Sequence, residues 1–387
     1  MSDHRSLPRI CTSLVVKAAL AVYWTRLGSL NALVLTRSAK FWKSWLDGPL
    51  CSADSLGRIV ADMEADSLRQ GIHHVYERLK RNKALPDLHG LGVAVLDGHE
   101  SSASYRRCCT GCLKRITNSG QTQFYHRNVT LMLLCASPPD RPAVRLLLDL
   151  EPQQPGEGEL APALRLLERV LGAYPRAFDL LLADAYYAVA PFLNFLLEHG
   201  KQAIVVLKDE RRDTYRDAAG LWAQQPAQIG SYASRSCRWW DFPDLLSWPD
   251  VKRTIRVVRS EESWTVKSQL TKELTPQTSS WVWLTTLSVA QARTEQVVHL
   301  AHLRWDIENH GFNELTNGWH ADHVYRHHSG AIECFLLLAF LAYNIFHAFF
   351  ARNLKPELRH GRTMEFWVRL IAAEIHAVPR FVPHAPP

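Results

Sequence analysis

The chain has 387 residues, 47% of them hydrophobic and 21% charged, a balance that excludes a disordered protein and supplies the core of two or three domains. Its formal net charge of +7 favours an anionic partner, and nucleic acid is the commonest one for a protein of this size. Eight cysteines, at positions 11, 51, 108, 109, 112, 135, 237 and 334, are scattered through the chain, so reduced thiols in a cytoplasmic compartment are expected rather than a disulfide scaffold.

Residues 1–88 read as a helical region. The early apolar run SLVVKAALAV follows Arg5 and Arg9, but Lys17 interrupts it and no small-residue cleavage site follows, so a cleaved leader is not expected. SADSLGRIV begins with capping residues, and after it Leu68, Ile72, Val75, Tyr76 and Leu79 recur at helical spacing, which suggests a helical hairpin. The second helix ends in Arg78, Lys80, Arg81 and Lys83 before Pro86. Such a basic end suits the DNA backbone, and a solvated face leading into a linker accounts for it equally well.

Strands begin near residue 90. LGVAVLDG (91–98), TQFYHRNVTLMLLCA (122–136) and AVRLLLDLE (143–151) read as three strands of an antiparallel meander. A helix with Leu160, Leu164, Leu167, Val170 and Leu171 on one side follows. AFDLLLAD (177–184) is the next strand, YAVAPFLNFLLEHG a helix closed by Gly200, and QAIVVLK (202–208) another strand. The order βββαβαβ in residues 89–208 is that of the first part of a ribonuclease H-like core, a mixed five-strand sheet flanked by helices. Residues 209–296 hold alternating segments and many tryptophans, among them Trp239, Trp240, Trp248, Trp264, Trp281 and Trp283, and read as a β-rich insertion whose last strand is shared with the core.

Residues 297–387 close the core. A long helix from about Val297 carries Glu308, an apolar helix runs from Ala331 to Ala351, and MEFWVRLIAAEIHAV forms a last amphipathic piece. The apolar helix approaches the roughly 20 residues that span a bilayer, but Glu333, Asn344 and His347 would then lie in hydrocarbon. A buried helix, with no membrane partner, is the expected reading.

Asp97 ends the first apolar strand and Asp184 the fourth, strands that neighbour each other in this fold, and Glu308 lies on the closing helix. Phosphodiester chemistry needs hard oxygen ligands for two divalent metals about 4 Å apart, and three acids from separate elements meet that need. Each has an ordinary alternative: Asp97 precedes Gly98 and can start a turn, Asp184 can cap the following helix, and Glu308 can pair with Arg304 one turn earlier. Asp149 and Glu151 compete from one face of the third strand, and Asp306 lies on the wrong side of its helix.

SADSLGR, LDGHE at the first acid, LLLADAYY at the second and LRWDIENHGFNEL at the third together resemble the DDE transposases of bacterial insertion sequences, of the IS-four superfamily type. That family's third-acid signature runs Tyr, two residues, Arg, three residues, Glu, six residues, Lys. Arg304 and Glu308 fill the middle places, while Ala301 and Leu315 stand where Tyr and Lys are expected. The resemblance implies catalysis and metal binding by Asp97, Asp184 and Glu308, with two Mg²⁺ ions or Mn²⁺ in their place. It implies nicking of the transposon end by an activated water, then attack of the freed 3′-hydroxyl on target DNA. Arg304 and Trp305 would contact DNA beside the scissile bond, and Lys80, Arg81 and Lys83 would bind it from the N-terminal region. A homodimer on DNA, in the bacterial cytoplasm and on the nucleoid, is implied as well. The alternatives are a DNA-binding relic without catalysis and a simple nuclease of the same fold.

Two further features need weighing. An indole stacking on a flipped base is one use of the tryptophans, although aromatics of a small β domain ordinarily fill its core. Cys109-x-x-Cys112 is half of a zinc site, with His99 and His126 as distant candidate ligands. Without a second such pair, free thiols are expected at Cys109 and Cys112 rather than a structural zinc.

Overall fold

The structure, a computed structural model, describes residues 1–377 apart from 7, 47, 138–141, 268, 269 and 271. Five helices come first: α1 (Thr12–Trp24), α2 (Leu30–Leu35), α3 (Phe41–Trp45), α4 (Ala53–Ala61) and α5 (Ala65–Arg81). Then come β1 (Val93–Ser104), β2 (Leu113–Ile116), β3 (Thr122–Leu134), β4 (Arg145–Pro152), α6 (Leu160–Ala173), β5 (Leu180–Ala183), α7 (Ala190–Glu198) and β6 (Gln202–Val206). Next are α8 (Asp213–Trp222), β7 (Gln228–Tyr232), β8 (Arg235–Leu245), β9 (Ile255–Lys267), β10 (Leu274–Thr285) and α9 (Thr294–His302). The last helices are α10 (Asn313–Trp319), α11 (Ser329–Arg352), α12 (Pro356–Arg359) and α13 (Met364–His376). These elements form two compact units. One comprises Met1–Pro86, Gly98–Ala173 and the chain from Glu308 onward; the other comprises Asp87–Asp97 and Tyr174–Ile307.

The first unit is built around α11. This helix is apolar on every side because it packs on α1, α4, α5 and β4, and Leu68, Ile72, Tyr76 and Leu79 of α5 form one buried stripe. The Ser52 hydroxyl starts α4 by accepting the Ser55 N–H at 3.2 Å. Alone among the described residues, α11 is long and apolar enough to cross a membrane, yet most of its surface is covered inside the unit. Its polar residues are each paired there. Glu333 meets Arg69 at 2.5 Å, and His347 meets Glu314 at 3.0 Å. Asn344, 1% exposed, donates to the Leu147 carbonyl at 2.8 Å and accepts the Leu147 N–H at 2.9 Å, so its amide completes an edge of β4 as another strand would. Asn344→Leu strands two buried backbone groups and should lower stability by about 2 kcal/mol or more. Urea denaturation checks this, and an unchanged midpoint at unchanged slope contradicts it.

The strands of this unit centre on β3, antiparallel to β2 over its first residues and to β4 over Asn128–Leu134. Asn128 and His126 of β3 reach Ser101 in the second half of β1. β2 is a strand the sequence did not announce, because only Leu113 of Leu-Lys-Arg-Ile is buried.

In the second unit the first half of β1 pairs parallel with β5, and β5 pairs parallel with β6. β10 then joins β6 antiparallel, and β9, β8 and β7 follow as successive antiparallel neighbours. The sharing of β10 between insertion and core agrees with the sequence reading, and α8 is an addition to it. Third-second-first in the first unit and first-fourth-fifth in the second is the strand order of a ribonuclease H-like fold.

Two expectations are corrected. β1 does not stop at Gly98 but runs to Ser104, so Asp97 lies within a strand and does not start a turn. The helix expected from Val297 is broken: α9 ends at His302, Leu303–Trp305 is a 3-10 turn, and Ile307–Phe312 is π-helical before α10. Such a widened turn is frequent where a helix serves a function rather than packing alone.

Candidate active site

β5 is fully buried and ends at Ala183, and Asp184 follows as the residue that opens a 3-10 turn over Ala185–Tyr187. Its carboxylate accepts the Tyr186 N–H at 2.9 Å, so the expected capping role is real and uses one oxygen. The parallel register pairs Val93 with Leu180, Ala94 with Leu181 and Val95 with Leu182. Continued by two residues, the same offset sets Asp97 opposite Asp184. Residues opposite each other on adjoining parallel strands share a face of the sheet, with about 4.8 Å between the strands. Both are hard oxygen donors of the kind that a divalent metal takes.

Arg304 lies in the same unit, on the 3-10 turn after α9. It is 8% exposed and directs Nη1 to Asp97 Oδ2 at 3.5 Å. One partner of Arg304 is thus the first acid. Its guanidinium also lies 4.1 Å from the Trp305 ring, and that indole is 38% exposed.

An anchor that the sequence reading missed holds this turn. Glu262 of β9 has no solvent exposure, and it accepts from Arg235 at 2.7 Å and meets His302 at 2.6 Å. Burial alone would push its carboxyl up, but the bonds to His302 and Arg235 outweigh burial and hold it below the usual range. Tyr232 stacks on His302 at 4.2 Å, and Trp281 and Trp283 close round the same ring. Trp239, Trp240 and Trp283 are core residues, as aromatics of a β domain ordinarily are. Trp281 also faces Trp305 edge-on at 6.3 Å. The end of α9, and with it Arg304, is thereby fixed to the β strands before it.

Glu308 is half-buried in the π-helical segment of the first unit. That segment has its own anchors. His99, two residues after Asp97 on β1, stacks on Phe312 at 4.4 Å, and the Tyr343 hydroxyl donates to the His310 carbonyl at 2.8 Å. Ala301 and Leu315, at the two departures from the signature, are both buried.

The competing acids are occupied elsewhere in the first unit. Asp149 binds Arg69 at 2.9 Å and Arg169 at 2.7 Å, and Glu151 binds Arg169 at 2.6 Å and Arg165 at 2.8 Å. Both are parts of a structural ion network. The basic side chains Lys80, Arg81 and Lys83 are exposed at the end of α5. Of the distant candidates around Cys109 and Cys112, His126 joins the thiols, His99 does not, and His327 is an addition.

A mixed α/β chain of this strand order is a ribonuclease H-like protein. Residues 143–345 match the family described as the transposase DDE domain. The chain belongs to that family: it is a DDE transposase, with DNA as its class of substrate and divalent metal ions as the family's usual cofactors. The match takes in Asp184 and Glu308 and begins after Asp97. No curated protein matches the chain.

Proposed function

We propose that this transposase, of the IS-four insertion-sequence type, cuts DNA at the ends of its element and joins the freed 3′-hydroxyl to target DNA. The parallel register of β1 and β5, which pairs Val95 with Leu182 two residues before each acid, supports the reading. Asp97, Asp184 and Glu308 would hold two Mg²⁺ ions, which Mn²⁺ can replace. When bound, the ions neutralise phosphate charge and favour in-line attack. The stack of His99 on Phe312 supports the inclusion of Glu308, because it ties the strand of the first acid to the segment of the third. Arg304 waits on Asp97 and contacts a phosphate beside the scissile bond, and the exposed Trp305 lies against the DNA next to it.

In this reading residues 1–88 bind DNA, 89–208 and 297–387 form the catalytic core, and 209–296 are an insertion that anchors α9. Two ends must be cut together, so the protein acts as a homodimer on DNA, in the cytoplasm and on the nucleoid. Incubation with Mg²⁺, a plasmid carrying the element's ends and a target plasmid tests this. Strand-transfer products are expected; cleavage without end specificity would instead select a simple nuclease.

Lys80, Arg81 and Lys83 contact phosphates. Changing all three to Ala should make the slope of log binding constant against log salt shallower by about 3, since each phosphate contact contributes about 0.9. Fluorescence anisotropy across salt concentrations measures it, and an unchanged slope removes the three from the DNA-binding surface. The burial of Ala301 and Leu315 favours a second reading, a relic that binds ends without cutting them. Salt-dependent end binding with no metal-dependent product would select it.

A further inference from the structure

Four soft or borderline donors converge in the first unit, on residues the proposed phosphodiester chemistry does not use. Cys109 and Cys112 lie in the loop between β1 and β2, His126 on β3, and His327 just before α11, and all four donor atoms fall within 4.8 Å of one another. The Cys109 and Cys112 sulfurs are 3.8 Å apart. His126 Nε2 is 3.3 Å from the first and 3.2 Å from the second, and His327 Nε2 is 3.6 Å from Cys112 Sγ. A tetrahedral zinc with bonds of about 2.3 Å to sulfur and 2.0 Å to nitrogen sets its ligand atoms about 3.3 to 3.8 Å apart. Three of the four separations fall in that range, and the fourth, 3.2 Å, lies just below it.

Hydrogen bonding does not account for the cluster. One imidazole nitrogen carries one proton or one lone pair, yet His126 Nε2 faces two sulfurs at almost equal distance. A disulfide would bring the sulfurs to about 2.05 Å and leave both imidazoles without a role. The local chain is shaped for the site. The Cys112 N–H donates to the Cys109 carbonyl at 3.1 Å, and the Cys109 N–H donates to Cys112 Sγ at 3.2 Å. A Cβ on Gly111 would come within 3.1 Å of Ser329 Cβ, so the turn between the two cysteines sits directly against the start of α11.

We propose that Cys109, Cys112, His126 and His327 bind one structural Zn²⁺. Four protein donors fill a tetrahedral shell and leave no position for water or substrate, which makes the site a clamp rather than a second catalytic centre. It fastens the loop after β1 to β3 and to the chain entering α11, segments that are otherwise distant in sequence. The proposal is independent of the acids that hold the catalytic ions.

Metal analysis of the full chain, purified under reducing conditions from zinc-supplemented culture and passed briefly over a chelating resin, tests it. About one zinc per chain is expected in the wild type and in Cys108→Ser, whose thiol is exposed and outside the cluster. Cys112→Ser and His327→Ala should fall to background. Because a variant can lose zinc by misfolding, apo wild-type protein is also titrated with Co²⁺, which should give one equivalent of intense visible absorption from a tetrahedral thiolate site. Zinc-free wild type that also gives no cobalt spectrum would falsify the proposal, and so would zinc retained by folded Cys112→Ser and His327→Ala.

Discussion

Replacing Asp97 or Asp184 by asparagine is expected to leave a folded protein that still binds DNA and to lower metal-dependent end cleavage about 10³-fold or more. The size follows from the chemistry. A carboxylate that holds a divalent ion supports several kcal/mol of charge stabilisation in the transition state, and about 1.4 kcal/mol corresponds to tenfold in rate. Folding should survive because each substitution keeps side-chain shape. Asparagine at 184 still offers an oxygen to the Tyr186 N–H, and at 97 it still faces Arg304. Both variants should lose cleavage together, since in the proposed site the two carboxylates act on the same ions. Single-turnover cleavage of a labelled end duplex, beside circular dichroism, checks this; wild-type cutting by either variant removes that acid from the site.

Asp149→Ala should do the opposite, costing stability rather than chemistry. The Asp149 carboxylate is almost wholly covered and lies between Arg69 and Arg169, with Glu333 and Glu151 as their further partners. Burial pulls the Arg169 guanidinium down, but the attraction of Asp149 together with the hydrogen bonds to Asp149 and Glu151 outweighs it and leaves Arg169 above its ordinary value. Taking the acid away leaves two largely covered cations short of their shared partner, a change that costs about 3 to 5 kcal/mol in buried pairs. A matching fall in unfolding free energy by urea is expected, with cleavage kept by the fraction that stays folded. Cleavage lost without any loss of stability would make Asp149 a member of the site after all.

The buried strands that lead to Asp97 and Asp184 were legible because VAVL and LLLA are unbroken apolar runs. The extension of β1 was not, because His-Glu-Ser-Ser-Ala-Ser carries no alternation of apolar and polar residues for a strand to display. The breaks around Arg304 were hidden for a related reason: 3-10, α and π turns use the same residue types and differ in hydrogen bonding. The ion network of Asp149 and Glu151 depends on Arg69 and Glu333, which come from helices far away in sequence. His327 shows the same limit most sharply. It is 215 residues from Cys112, and a half-motif cannot announce a ligand that only the fold delivers.

The most direct test of the central claim concerns Glu308, the acid on the π-helical segment. Supercoiled plasmid bearing the element's ends is incubated with wild type and with Glu308→Gln, in Mg²⁺ and in Mn²⁺, and the cut positions are mapped. The three-acid site predicts cuts at the ends by the wild type with either metal and none by Glu308→Gln, with DNA binding intact in both. End-specific cleavage by Glu308→Gln at the wild-type rate would contradict it.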